Sequence, residues 1–131
     1  MMNSRSTDAL HELIRETVLS DEQSLKKIGR NEYQYGRNAD TGLALINIIK
    51  RPEQELYGYA LRLDARTEET FEKMMRSIIS SLRAMGVYEL RTHVRGFDRE
   101  HTKIIERLGF TIKYFEARRG KAAEHRWILK L

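Results

Sequence analysis

Residues 67 to 115 carry the most regular pattern of apolar and polar positions in the chain. Phe71, Met74, Met75, Ile78, Ile79, Leu82 and Met85 recur at spacings of three and four, which predicts one apolar stripe along a helix. Gly86 ends that stripe. The following VYELRTHV has strand-forming composition, Ile104, Ile105 and Leu108 mark a shorter helix closed by Gly109, and the chain restarts as a strand at Phe110. Upstream, Leu43 to Ile49 is apolar on both faces, as in a central strand. Tyr57 to Leu63 repeats β-forming residues after the polar stretch KRPEQE, with Pro52, the only proline, in the turn. Downstream, TIKYFEA, the basic turn RRGKAAE and HRWILKL predict a closing hairpin.

The first forty residues read differently. Thr7 or Asp8 can cap a helix striped by Leu10, Leu13, Ile14 and Val18, and Ser20 with Gln23 three residues later has the form of a capping box. Leu25 and Ile28 are the only anchors of that second helix. RNEYQYGRNADT, from Arg30 to Thr41, reads as a polar loop, with Tyr33, Tyr35 and Arg37 as candidate contacts. The order is then helix, helix, strand, strand, long helix, strand, short helix, strand, strand. That order predicts one α+β domain over 1–131: a helical part and loop at 1–41, then a mixed sheet with crossover helices at 42–131.

Composition narrows the setting. At 131 residues the chain suits one domain and can bury roughly two thirds of its unfolded surface. Cysteine is absent, so disulfide and thiol chemistry are excluded. LALINII is far shorter than the ~20 residues of a membrane span, and MMNSRSTDAL has no apolar stretch for a signal peptide. The expected location is cytoplasmic, with no membrane partner.

Charge separates the two ends of the chain. Residues 1 to 90 balance at −1, whereas residues 91 to 131 carry 11 Lys and Arg against 5 Asp and Glu. A basic C-terminal third fits an acidic protein surface, a nucleic acid or a phosphorylated ligand, or else reads as a solvated surface that happens to be basic. The candidate partner-binding residues are Arg91, Arg95, Arg99, Lys103, Arg107, Arg118, Arg119 and Lys121. Arg99, Lys103 and Arg107, four apart, share one helix face. Neither a helix-turn-helix nor an RNA-binding signature accompanies them. His11, His93, His101 and His125 are scattered, with no metal-ligand pair on one helix face, so no metal is expected. His93 lies in line with Glu89, Arg91 and Arg95 on one face of VYELRTHVR, with Tyr88, Leu90, Thr92 and Val94 on the other. That polar row reads as a solvated sheet face or an edge strand, or else as a cleft lining with a base.

FDREHTKIIERLGF at 97 to 110 resembles a segment of the GNAT N-acetyltransferase superfamily, in which an Asn opens a helix of about eleven residues closed by Gly-Phe before the next strand. LRAMGVYEL at 82 to 90 is similar to that family's helix, turn and strand junction, and the likeness covers roughly residues 42 to 131. It implies a GNAT-like sheet, mixed and mostly antiparallel, flanked by helices. The family's Gln/Arg-x-x-Gly-x-Gly/Ala turn, which holds the acetyl-CoA pyrophosphate on backbone N–H groups, corresponds to Arg66-Thr67-Glu68-Glu69-Thr70-Phe71, where glycine is missing. Capping explains those residues without a ligand, since Thr67 can cap and Glu68 and Glu69 complement the helix dipole. Ile105 stands where many members place a proton-donating tyrosine, and Asp98 replaces the opening Asn.

These departures imply a site without catalytic residues or cofactor. The expected role is non-catalytic binding, regulation or assembly through the basic C-terminal surface, as a homo-oligomer or in a larger particle. A divergent acyl-CoA-dependent N-acetyltransferase using acetyl-CoA is the alternative. Short GNAT-like chains lacking these glycines look similar to small bacteriophage proteins, including internal virion proteins of short-tailed phages, which makes the virion the alternative location.

Overall fold

The computed structural model describes residues 24–93, 99–117, 119–120 and 122–131. Their elements are β1 (Leu25–Lys27), β2 (Glu32–Asn38), β3 (Gly42–Lys50), β4 (Leu56–Asp64), α1 (Glu68–Ala84), β5 (Val87–His93), α2 (Arg99–Arg107), β6 (Thr111–Phe115) and β7 (Glu124–Lys130). The strands form one seven-stranded sheet in the order β1-β2-β3-β4-β5-β7-β6. Neighbours pair antiparallel except β4 and β5, which run parallel because α1 carries the chain back along the sheet before β5 begins. The result is a mixed, mostly antiparallel α+β fold.

α1 organises the core, as its stripe predicts. Phe71, Met74, Met75, Ile78, Ile79 and Leu82 are all buried and cluster with Ala44, Ile46 and Ile48 of β3 and Val87 and Leu90 of β5. Each such side chain contributes roughly 1.5–3 kcal/mol by leaving water. Close approach is possible because β4 is small where the helix crosses it. A Cβ built on Gly58 would sit 3.5 Å from Leu90 and 3.7 Å from Leu82 and Val87. Met85, the last residue of the expected stripe, is instead the C-cap, and Gly86 turns the chain away at φ 81. α2 adds Ile104 and Ile105 to the same core, and Phe110 follows them inside.

The reading of residues 24 to 41 is corrected. Leu25 to Ile28 does not form a helix. Leu25–Lys27 is β1, paired with Tyr33 to Tyr35 of β2, and three residues are too few to display alternation. The expected loop contains β2, in which Tyr33 and Tyr35 face the same side as their partners Ile46 and Ala44 and the intervening Gln34 faces the other. Tyr35 is fully buried. The connection to β3 is a tight turn in which Asn38 Oδ1 accepts the N–H groups of Asp40 and Thr41 at 3.0 and 3.2 Å. The helix starts read at Thr7 or Asp8 and at Ser20 lie outside the described residues. No helix among the described residues is long and apolar enough to cross a membrane.

Candidate functional site

The site begins where two parallel strands part. Pairing between β4 and β5 runs from Leu56↔Val87 to Ala60↔Thr92, yet β4 continues to Asp64 along its other neighbour, β3. Leu61 is the extra residue of a bulge, since Leu45 pairs with Arg62 while Ile46 pairs with Ala60. A bulge bends its strand and deepens its twist, which turns the end of β4 away from β5. Among the described residues no β5 residue pairs with Leu61 to Asp64, so over the described residues the two strands part as a fork.

α1 starts at the mouth of this fork. Thr67 is its N-cap: Thr67 Oγ1 accepts the Thr70 N–H at 3.1 Å, and the Thr67 carbonyl accepts the Phe71 N–H at 3.0 Å. Glu68 and Glu69 are exposed beside it, and an Arg66–Asp40 ion pair at 2.8 Å joins the mouth to the β2–β3 turn. Phe71, at one of the positions where the family turn has a small residue, does not obstruct this entrance. Its ring is buried and stacks on His101 of α2, with centroids 4.1 Å apart and planes within 6°, so it fills the space between the helices and does not stand across the first N–H groups. Ile105 is a core residue with 0 % exposure, and no ionisable group replaces it at that position.

The opposite sheet face holds the polar chemistry. Leu90 and Thr92 of β5 point into the core, so Glu89, Arg91 and His93 alternate onto the face away from α1. There a pocket of about 550 Å³ is lined by Asn47, Tyr59, Arg91, His93, Phe115 and Arg126, among others, and by Ala60 and Thr92, the last pair before the fork. Its wall alternates guanidinium groups and rings. Arg91 lies 5.1 Å from the Tyr57 ring centroid and 5.0 Å from that of Phe115, and Arg126 lies 5.7 Å from Tyr59 and 5.8 Å from Phe115. Arg51 stacks on Tyr57 at 4.7 Å and donates to the Tyr59 hydroxyl. Arg91 Nε donates to Glu89, a residue only 5 % exposed, so the guanidinium and the carboxylate offset each other's burial. Partial burial, followed by the neighbouring Glu55 carboxylate, raises the Tyr57 hydroxyl above its ordinary value of 10.0.

The polar row is therefore not an edge, and at Glu89 and Arg91 it is not a solvated face, while His93 is exposed. β5 lies between β4 and β7, and Glu89 and Arg91 are largely covered. Tyr88 does not join Leu90 and Thr92 in the core; it is 41 % exposed and meets Tyr57 edge-on at 5.7 Å. The register shift between Leu56 and Tyr57 explains this, because it sets Val87 and Leu90 on one side and breaks simple alternation between them.

The candidate basic residues divide between surfaces. Arg91 belongs to the pocket. Arg99, Lys103 and Arg107 are exposed on α2, and Arg107 bonds Glu72 of α1 at 2.6 Å. Arg119 is exposed in the β6–β7 turn. Arg95, Arg118 and Lys121, and with them Asp98, lie outside the described residues. Pocket residues that the sequence did not single out are Arg51, Tyr59, Phe115 and Arg126. Alternation on β4 and β7 would have aligned them once the strand order was known. Among the described residues, no three His, Asp or Glu gather into a metal site.

No protein-family model matches the sequence, and no curated protein matches it. Solved structures do match. The NatC complex bound to Gag peptide and CoA is 18% identical with a TM-score of 0.56, over 72% of this chain and 63% of that one. NAA60 of Arabidopsis thaliana in complex with a bisubstrate analogue is 12% identical at TM-score 0.57, over 79% of this chain and 78% of that one. The ribosomal-protein-S18-alanine N-acetyltransferase of Escherichia coli is 17% identical at TM-score 0.51, over 88% of this chain and 75% of that one. The fold is that of the GNAT N-acetyltransferases. The cofactor-free reading is corrected by the same finding: one of these neighbours holds CoA and another a bisubstrate analogue, so lost glycines are a weaker argument than the shared arrangement of strands and helices.

Proposed function

We propose that this protein binds an acyl-CoA thioester in the fork between β4 and β5 and acylates an amine held in the adjoining pocket. One observation carries the reading: among the described residues β4–β5 pairing ends at Ala60↔Thr92 while β4 runs on to Asp64, and that last pair lines the pocket on the far face. The fork and the pocket thus meet at one point. The β4 edge at Leu61 to Asp64 suits an extended arm bearing amide groups, and the first N–H groups of α1, which have no partner within a helix, suit its phosphates. Glu68 and Glu69 oppose that second contact electrostatically, but both are exposed and can turn into solvent. The thioester supplies an activated acyl group. Leu61, outside the ladder, offers a backbone N–H to a carbonyl oxygen. His93, on the pocket wall, is placed to take a proton from the acceptor nitrogen as it bonds to the acyl carbon, while the C–S bond breaks and the CoA thiolate leaves, taking its proton from water.

Ile105 favours a second reading, non-catalytic binding or assembly, because a core isoleucine gives no proton to a departing thiolate. Calorimetry with acetyl-CoA and mass spectrometry of amine acceptors separate the two. The expected result is one-to-one binding in the micromolar range, acyl transfer, and a loss of about a hundredfold or more in rate for His93→Ala. Binding without product favours the second reading, and no heat with any acyl-CoA sinks the first.

A further inference from the structure

We infer that the pocket on the sheet face away from α1 selects an acceptor whose side chain carries an anionic group, a carboxylate or a phosphate, in addition to its amine and any α-carboxylate. The amine rests on the acyl-transfer reading; the anion rests on the pocket alone. Three guanidinium groups, Arg51, Arg91 and Arg126, converge on one lined space, and of the described lining residues only Glu116, which is exposed, is acidic. Glu89 answers Arg91 from beneath. Like charges gathered in one partly covered cavity repel, and they are more stable with an anion among them. Arg is the side chain suited to that task, since a guanidinium stacked on a ring keeps its N–H edge in plane for two parallel bonds to a carboxylate or phosphate.

The rings argue against a nucleobase. Tyr59 and Phe115, the lining rings, each have two guanidinium carbons within 6.0 Å, so a stacked base would compete with protein cations for them. The volume, about 550 Å³, fits a small molecule or the end of a peptide.

Titrating the full chain with L-glutamate, O-phospho-L-serine and L-glutamine, followed by NMR of the arginine Nε–H groups and without any CoA, tests the inference. At least one anionic ligand is expected to bind about tenfold or more tighter than L-glutamine, with shifts at Arg91 and Arg126. Binding of glutamate alone assigns a carboxylate, and binding of phosphoserine alone a phosphate. Arg126→Gln, checked for folding by circular dichroism, is expected to lose about tenfold to a hundredfold in affinity, and Arg119→Gln in the exposed turn to lose none. Arg51→Gln replaces Arg126→Gln if the latter does not fold. Equal affinity for L-glutamine, unchanged affinity in a folded pocket variant, or displacement of these ligands by a single-stranded oligonucleotide overturns the inference. Anion binding in a chain that takes no acetyl-CoA removes the acyl-transfer reading and leaves the anion site standing. Acetyl-CoA binding with no preference for anions does the reverse.

Discussion

Gly36 interrupts β2 at φ 69, next to the register shift between Tyr35 and Asn38. A Cβ there would lie 1.9 Å from the carbonyl oxygen of Gly42, a backbone atom that cannot swing aside. Gly36→Ala is therefore expected to destabilise the fold by about 2 kcal/mol or more, seen as a lower urea midpoint, and an unchanged midpoint would show the β2–β3 junction to be loose. Ile105 marks a different constraint. Its side chain is enclosed by the core, so Ile105→Ala should cost about 2–5 kcal/mol and Ile105→Val about 0.5–1.5 kcal/mol in the same measurement. Losses that small for Ile105→Ala as for Ile105→Val would mean that the position is not packed.

The two helices are joined at the element scale by Glu72 of α1, which accepts from Arg76 at 2.7 Å one turn on and from Arg107 of α2 at 2.6 Å. The Arg76 hydrogen bond, then that of Arg107, lowers its carboxyl below the ordinary value of 4.5. A depressed folded-state value adds stability that is fully present above that ordinary value and is lost as pH falls through the lower one. Wild-type melting temperature should therefore fall on acidification below about pH 4.5 more steeply than that of Glu72→Gln, with the difference shrinking in high salt because the pair is solvent-exposed. Parallel curves would assign the acid sensitivity elsewhere. How much of each element showed in the sequence follows from its length and from what covers it. α1 was legible because one face of a long helix must be apolar, and the β3–β4 hairpin because both strands are long. β2 was not: Gln34, Gly36, Arg37 and Asn38 among its seven residues resemble a loop, and only the pairing of Tyr33 and Tyr35 with β3 shows which side is buried. Part of the pocket was legible, Arg91 and His93, because they lie in one row on one strand. Arg51, Tyr59, Phe115 and Arg126 come from three other parts of the chain, and only the order β4-β5-β7-β6 sets them side by side.

Across the whole molecule, stability and function occupy different parts of one sheet. The pairs of β3 with β4 extend over eight residues of each strand, and α1 covers β3, β4 and β5 from one side. β1 has only three residues at one edge, and β6 at the other has four of five residues exposed. Backbone hydrogen bonds opened by local fluctuation follow the same gradient, because edge strands separate without breaking the core. Hydrogen exchange should accordingly be slowest in β3, the first half of β4 and β5, and fastest in β1 and β6. The second half of β4, Leu61 to Asp64, should be intermediate, since β3 holds it on one side and nothing described in β5 holds it on the other. Saturating acetyl-CoA is expected to slow exchange at Leu61 to Asp64 and at the start of α1 while leaving β1 and β6 unchanged, as for a ligand that completes an unpaired strand edge. Protection spread evenly over the sheet would indicate global stabilisation by binding elsewhere, and the fork would then be a feature of twist alone.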